Sequence, residues 1–162
     1  MDNLLGAIFA LISSVSTPIY QPQPAVDPIV VELQGFLDEK KSPLPASVLV
    51  KYPNWQMIVA LSAAESGYGK KLAGDYNAWG IKDFRSGSKN YRGYRDFASW
   101  DESIAYTSEL LFKYDESGSP EPKAMVARWK YIRPFGGWLG NVNYSLNDIQ
   151  ENVIAVAKSK SA

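Results

Sequence analysis

Ala60-Leu61-Ser62-Ala63-Ala64-Glu65-Ser66-Gly67-Tyr68-Gly69-Lys70, followed after a short loop by Asn77-Ala78-Trp79-Gly80-Ile81-Lys82, is the stretch on which the reading of this chain turns. Ile58, Leu61 and Glu65 are spaced three and four residues apart, so on a helix the carboxylate extends an apolar stripe and not a charged face. Gly67 supplies the left-handed residue that ends many helices, which puts Glu65 in the last turn. Desolvation on that stripe and the negative end of the helix dipole both favour the protonated acid. A general acid that protonates a glycosidic oxygen near neutral pH needs such tuning. The spacing alone also describes a solvated glutamate at a helix end, with Gly67 and Gly69 serving only as caps.

Working outward toward the N-terminus, Asn54 is placed to cap the helix that runs to Ser66. Before it, Pro43, Pro45 and Pro53 leave room for at most one short helix. Asp27-Pro28 is an N-cap and first-turn pair, and Ile29, Val30, Leu33, Phe36 and Leu37 then recur on one helical stripe to about Lys40. Residues 16–28 carry Pro18, Pro22, Pro24 and Pro28 and read as a linker. Leu4 to Val15 is an apolar run too short to span a bilayer. It resembles the core of a signal peptide, although Asp2 precedes it, no Lys or Arg does, and no small-x-small cleavage site follows. The alternative is a hydrophobic helix that packs on the domain or on a partner. The division is therefore 1–26, hydrophobic segment and linker, and 27–162, one folded domain.

Toward the C-terminus, helical periodicity disappears from Asn77 to Phe97, and aromatic residues flank Ser86-Gly87-Ser88, which predicts a small β-hairpin. Ser99-Trp100-Asp101-Glu102 has capping-box spacing and opens a helix to about Tyr114. A short helix follows around Met125, Val126 and Trp129. The Gly-rich segment Phe135 to Gly140 reads as a connection to a final helix that begins at Ser145 and buries Ile149, Val153 and Val156.

Composition narrows the chemistry. At 162 residues, 46% apolar and 21% charged, the chain fits one globular domain. Seventeen basic and seventeen acidic residues cancel, so nothing draws the whole molecule to nucleic acid or an anionic membrane. With no His and no Cys, Ser-His-Asp triads, thiol nucleophiles and the usual zinc sites are excluded. A Ser-Lys nucleophile fails on spacing, because Ser66 and Lys70 are not in S-x-x-K register. Five Trp and ten Tyr exceed what a small core needs and leave rings to line a surface on which sugars can stack.

The wider pattern decides the reading of Glu65. Glu65-Ser66-Gly67-Tyr68-Gly69-Lys70 and Asn77-Ala78-Trp79-Gly80-Ile81-Lys82 resemble the paired signature of the glucosaminidase family of peptidoglycan hydrolases, glycoside hydrolase family 73, which reads approximately E-S-G-W-G-K then N-L-F-G-I-K. Tyr94-Arg95-Asp96-Phe97-Ala98-Ser99-Trp100-Asp101-Glu102-Ser103 is similar to its F-R-x-Y-x-S-x-x-E-S segment. Asn143-Tyr144 resembles its Y-A-T-D-P-x-Y-A region, and the similarity extends from about Trp55 to Ala157.

The resemblance implies a mostly α, lysozyme-like α+β fold with a small β-hairpin lobe, and a hydrolase that cleaves the β-1,4 bond of N-acetylglucosaminyl residues. It makes Glu65 the catalytic acid and Tyr144 an active-site tyrosine, the alternative being a Tyr that packs at a helix start. Tyr68, Tyr76 and Trp79 are expected to stack on sugar, with Asn77 beside them in the binding set, although Trp79 fits a core position as well. The chain departs from the family in lacking the T-x-E-Y type strand that carries a second acid. Asp83 is the nearest carboxylate for that role, with Asp96 and Asp101 further on; each also fits a turn or capping position. No metal or organic cofactor is implied. The expected partner is the peptidoglycan glycan strand, with no nucleic acid and no integral membrane span, and the expected state is an exported monomer in the cell envelope or medium. A muramidase or lytic transglycosylase of the same fold, or a non-catalytic glycan-binding module, are the competing readings.

Overall fold

A computed structural model describes residues 27–83, 93–130 and 133–161. The segment before Asp27 and the Ser86-Gly87-Ser88 turn of the expected hairpin lie outside the described residues. What is described is mostly helical: α1 (Pro28–Glu39), α2 (Ala46–Leu49), α3 (Trp55–Ser66), α4 (Trp100–Phe112), α5 (Pro122–Trp129), α6 (Gly136–Ile149), a π-turn (Gln150–Ile154) and α7 (Ala155–Lys160). None of these helices is long and apolar enough to cross a membrane.

The architecture follows from α3. Met57, Ile58, Val59, Ala60, Leu61 and Ser62 are all buried, so this helix is covered on nearly every side and forms the axis of the domain. It packs principally on α6, with α4 alongside it. Trp138, Val142, Ser145 and Ile149 recur at helical spacing and form the buried stripe of α6. Leu33, Phe36 and Leu37 of α1 join the same core.

Three helix ends match the sequence closely. The Asp27 carboxylate accepts from the Ile29 amide at 2.9 Å, and Pro28 occupies the first turn. Ser99 Oγ accepts from the Glu102 amide, while Glu102 Oε2 reaches the amide of Ala98, so the capping box closes one residue early. Gly67 adopts φ 61° and ψ 54°, and the Tyr68 amide bonds the Ser62 carbonyl to finish α3.

Two expectations are corrected. Asn54 stands at the N-cap of α3 but makes no side-chain cap there. Its amide, fully buried, donates to the Ser108 carbonyl and accepts from Ser108 Oγ at 2.8 Å, tying α3 to α4. The last long helix begins at Gly136 and not at Ser145, because burial of Trp138 and Val142 continues the Ser145–Ile149 stripe back through the glycines. The tertiary contact there outweighs the poor helix propensity of Gly136, Gly137 and Gly140.

Of the expected hairpin, the described residues show one antiparallel bridge, Lys82 with Tyr94, and no strand. The Asp83 amide donates to the Gly93 carbonyl and the Arg95 amide to the Ile81 carbonyl. The pairing of the described residues on either side of the expected turn is limited to this bridge and these two hydrogen bonds.

The two ends of the described domain meet. Asp27, Pro28 and Ile29 lie against Ala157, Lys158 and Ser161, and Lys160 Nζ is 2.7 Å from Glu32 Oε1. Between them, the π-turn shifts the register of the final helix by one residue, so that Val153, Ile154 and Ala157 are the buried positions past Ile149.

Candidate active site

Glu65 stands at the convergence of three helix ends. It occupies the last turn of α3, Trp129 closes α5, and Trp138 lies in the first turn of α6. The Trp138 indole N–H donates to Glu65 Oε1 at 2.6 Å, and the Trp129 indole N–H donates to the same oxygen at 3.0 Å. Lys130 Nζ is 3.6 Å from Oε2. The Glu65 side chain is 15% exposed, so it is sheltered yet open on one side. The stripe that carries Glu65 is apolar, as its spacing indicates, but the carboxylate itself ends among two indole donors and an ammonium.

That open side is a cleft of about 740 Å³, within the range of small-ligand sites. One wall is the segment Trp79 to Lys82; the other is built from α4 and from α5 with the residues after it. Tyr94, Tyr106, Tyr114 and Trp129 supply most of its aromatic surface. Arg95 braces Tyr106, its guanidinium carbon 4.2 Å from that ring centre and 4.8 Å from the ring of Phe97.

The second half of the sequence signature builds the first wall. Asn77 is fully buried. Its amide nitrogen donates to the carbonyls of Ile81 and Arg95 at 2.9 and 2.8 Å, and its Oδ1 accepts from the Ile81 amide at 3.0 Å. One side chain therefore holds a tight turn and ties it to the returning segment. Gly80, at the apex with φ 65°, turns toward the carboxylate: a Cβ there would lie 3.9 Å from Glu65 Oε2. Trp79 is 1% exposed and donates its indole N–H to the Ile58 carbonyl at 2.9 Å, so it backs the wall as a core residue with no face to offer a sugar.

The other expected site residues separate from Glu65. Tyr68 is half-buried on the opposite side of α3's end, edge-on to Phe36 and hydrogen-bonded to Ser145 Oγ at 3.1 Å. Burial pushes its phenol above the ordinary value of 10.0. Tyr76 packs edge-on against Trp100 with ring centres 5.3 Å apart, and it does not line the cleft. Tyr144 is 67% exposed on α6 and also lies outside the lining. Asp83 follows the wall segment without lining the cleft. The Asp96 carboxylate accepts from the Asp75 amide at 2.9 Å, and Asp101 sits in the first turn of α4, 3.5 Å from Lys51, so both serve turns and caps.

Among the described residues Glu65 is the one carboxylate that lines the cleft. No group of acidic side chains there could hold a metal ion. Four residues that sequence reasoning passed over, Trp129, Trp138, Tyr94 and Tyr106, contribute directly to the carboxylate's setting or to the walls. The surplus of aromatic residues was the available signal for them, and it carries no address. No family model, no curated protein and no solved structure matches the chain, so the assignment of this cleft rests on its own geometry and on the motif that leads to it.

Proposed function

We propose that the chain is a glycoside hydrolase of peptidoglycan with a lysozyme-like arrangement of helices, and that Glu65 is its general acid. The observation that carries the reading is a sheltered carboxylate held in fixed orientation beside an aromatic cleft wide enough for sugar rings. The resemblance of the Glu65–Lys70 and Asn77–Lys82 segments to the glucosaminidase signature supports it from the sequence side. Such a substrate lies outside the cytoplasm, so export to the envelope belongs to the same proposal.

With both indoles on Oε1, the proton transferred to the leaving glycosidic oxygen resides on Oε2, the oxygen nearer Gly80. As that bond breaks, Glu65 becomes a carboxylate, and Lys130 and the two indole N–H groups are in place to stabilise the charge. The substrate's own 2-acetamido oxygen supplies the nucleophile at the anomeric carbon, and water then opens the cyclic intermediate, its proton returning to Glu65. Tyr94, Tyr106 and Tyr114 hold the sugar rings. Tyr144 and Asp83 take no part in this step.

A second reading is favoured by the lone carboxylate in the described lining: a muramidase or lytic transglycosylase cleaving the neighbouring bond. Mass spectrometry of peptidoglycan digested by wild type and by Glu65→Gln separates the readings. GlcNAc reducing ends made only by the wild type are expected; MurNAc or anhydro-MurNAc ends would transfer the assignment to the second reading. Glycan binding by both proteins with no new ends from either would leave a binding module.

A further inference from the structure

We propose that the cleft selects glycan carrying oxyanion groups, and that Arg128 and Arg133 are the side chains that read them; this deepens the glycosidase reading and rests on it. Over its full length the chain is neutral, with seventeen basic and seventeen acidic residues. The cleft is not. Lys82, Arg128, Lys130 and Arg133 line it against Glu65 alone among the described residues, four cations to one carboxylate, a surplus of three positive charges. Lys130 is matched with Glu65 at 3.6 Å, and Arg128 and Arg133 bring positive charge to the lining beyond that pair.

Lys82, Arg128 and Arg133 are each set over a ring. Lys82 Nζ is 3.5 Å from the centre of Tyr94, and the guanidinium carbons of Arg128 and Arg133 are 4.6 and 5.1 Å from the centres of Tyr114 and Phe135. The quadrupole of each ring attracts its cation and restrains it, which lowers the entropy lost when a ligand is gripped. A neutral polysaccharide would cover these cations without returning hydrogen bonds of comparable strength, at a desolvation cost. A carboxylate or phosphate returns charge-assisted bonds, and the planar fork of arginine suits the two oxygens of either group. In peptidoglycan such groups are the carboxylates of the lactyl ether and stem peptide, or the phosphates of attached polymers.

The test measures binding by the Glu65→Gln protein to soluble peptidoglycan strands, to the same strands after their carboxylates are converted to amides, and to strands stripped of phosphate. Amidation is expected to weaken binding by about tenfold, the value of one charge-assisted hydrogen bond, and the effect should fade at high salt. If stripping phosphate has that effect instead, the oxyanion is phosphate and the proposal stands in that form. In Glu65→Gln combined with Arg128→Gln and Arg133→Gln, the preference for native over modified strands should collapse toward one. The Arg128→Lys, Arg133→Lys version, which keeps the charge, should restore most of it and controls for folding.

Equal binding to all three strands would overturn the proposal, as would tighter binding to a DNA oligonucleotide than to any of them. Failure of the parent reading looks different. Wild-type protein that binds by charge but cleaves no glycan would sink the glycosidase assignment alone, whereas cleavage indifferent to amidation and to phosphate removal would sink only the selectivity.

Discussion

Glu65 owes its orientation to two hydrogen bonds on one oxygen, and the one from Trp138, which lies outside the cleft lining, can be removed while a ring is kept at that position. Trp138→Phe deletes the shorter, at 2.6 Å. A hydrogen bond of this kind contributes about 1.5–3 kcal/mol, which converts to a loss of roughly tenfold to a hundredfold in kcat if it acts in the transition state. KM should change less, and that split distinguishes orientation of the acid from loss of sugar contact. Gly80→Ala tests the opposite wall. It forces a side chain into a left-handed conformation and places a methyl group 3.9 Å from Oε2, so both stability and turnover are expected to fall. The placement of Glu65 in the last turn of a helix that Gly67 ends was legible in the sequence. Its indole partners were not. They lie 64 and 73 residues downstream, and an indole N–H leaves no periodic trace of where it will point. Asn77 shows the reverse: the motif makes it prominent as a ligand contact, yet each of its polar atoms is used to fix a turn.

At the scale of elements, the helices whose ends carry chemical punctuation were readable to within a residue or two. α1 begins at Asp27-Pro28, α3 stops at Gly67, and α4 starts at Ser99. Substituting Gly67 by Ala should destabilise the fold by about 1 kcal/mol or more, since φ 61° strains any L side chain; urea denaturation measures it. α6 was the element that escaped, since its first turns are glycines and its start is decided by where Trp138 must be buried. Gly140 is exposed inside that helix, and a Cβ there meets nothing within 4 Å. Gly140→Ala is therefore expected to stabilise the protein by about 0.5–1 kcal/mol, a rise in the denaturation midpoint with no loss of activity. A fall in stability would mean that the helix needs flexibility at that point.

For the molecule as a whole, helical periodicity and capping indicated a mostly helical domain but not its axis, because a helix buried on nearly every side does not point to its neighbours. One long-range tie makes stability depend on alkaline pH. Lys40 Nζ pairs with Asp148 at 2.8 Å across the ends of α1 and α6, and this hydrogen bond holds the lysine above its ordinary 10.5. Beside it, burial raises Tyr68 above 10.0. Both groups hold their proton more tightly when folded, so their contribution is complete below those ordinary values and is lost as pH climbs through the raised ones. Denaturation midpoints should hold steady up to about pH 9.5 and then decline. Tyr68→Phe should flatten the decline, and an unchanged slope would exclude the phenol from it.

The meeting of Asp27–Ile29 with Ala157, Lys158 and Ser161 has a consequence for how the chain can be rewired. With residues 1–26 removed, the ends of the described domain can be joined by a short linker and the polypeptide reopened in an exposed connection such as 115–117, which reorders the helices in synthesis without moving them in space. A permuted protein of that kind would keep α3, α5 and α6 around Glu65 while placing α5 and α6 ahead of α3 in the chain. If it folds and retains the cleft, the site is a property of packing and not of the order in which its parts emerge.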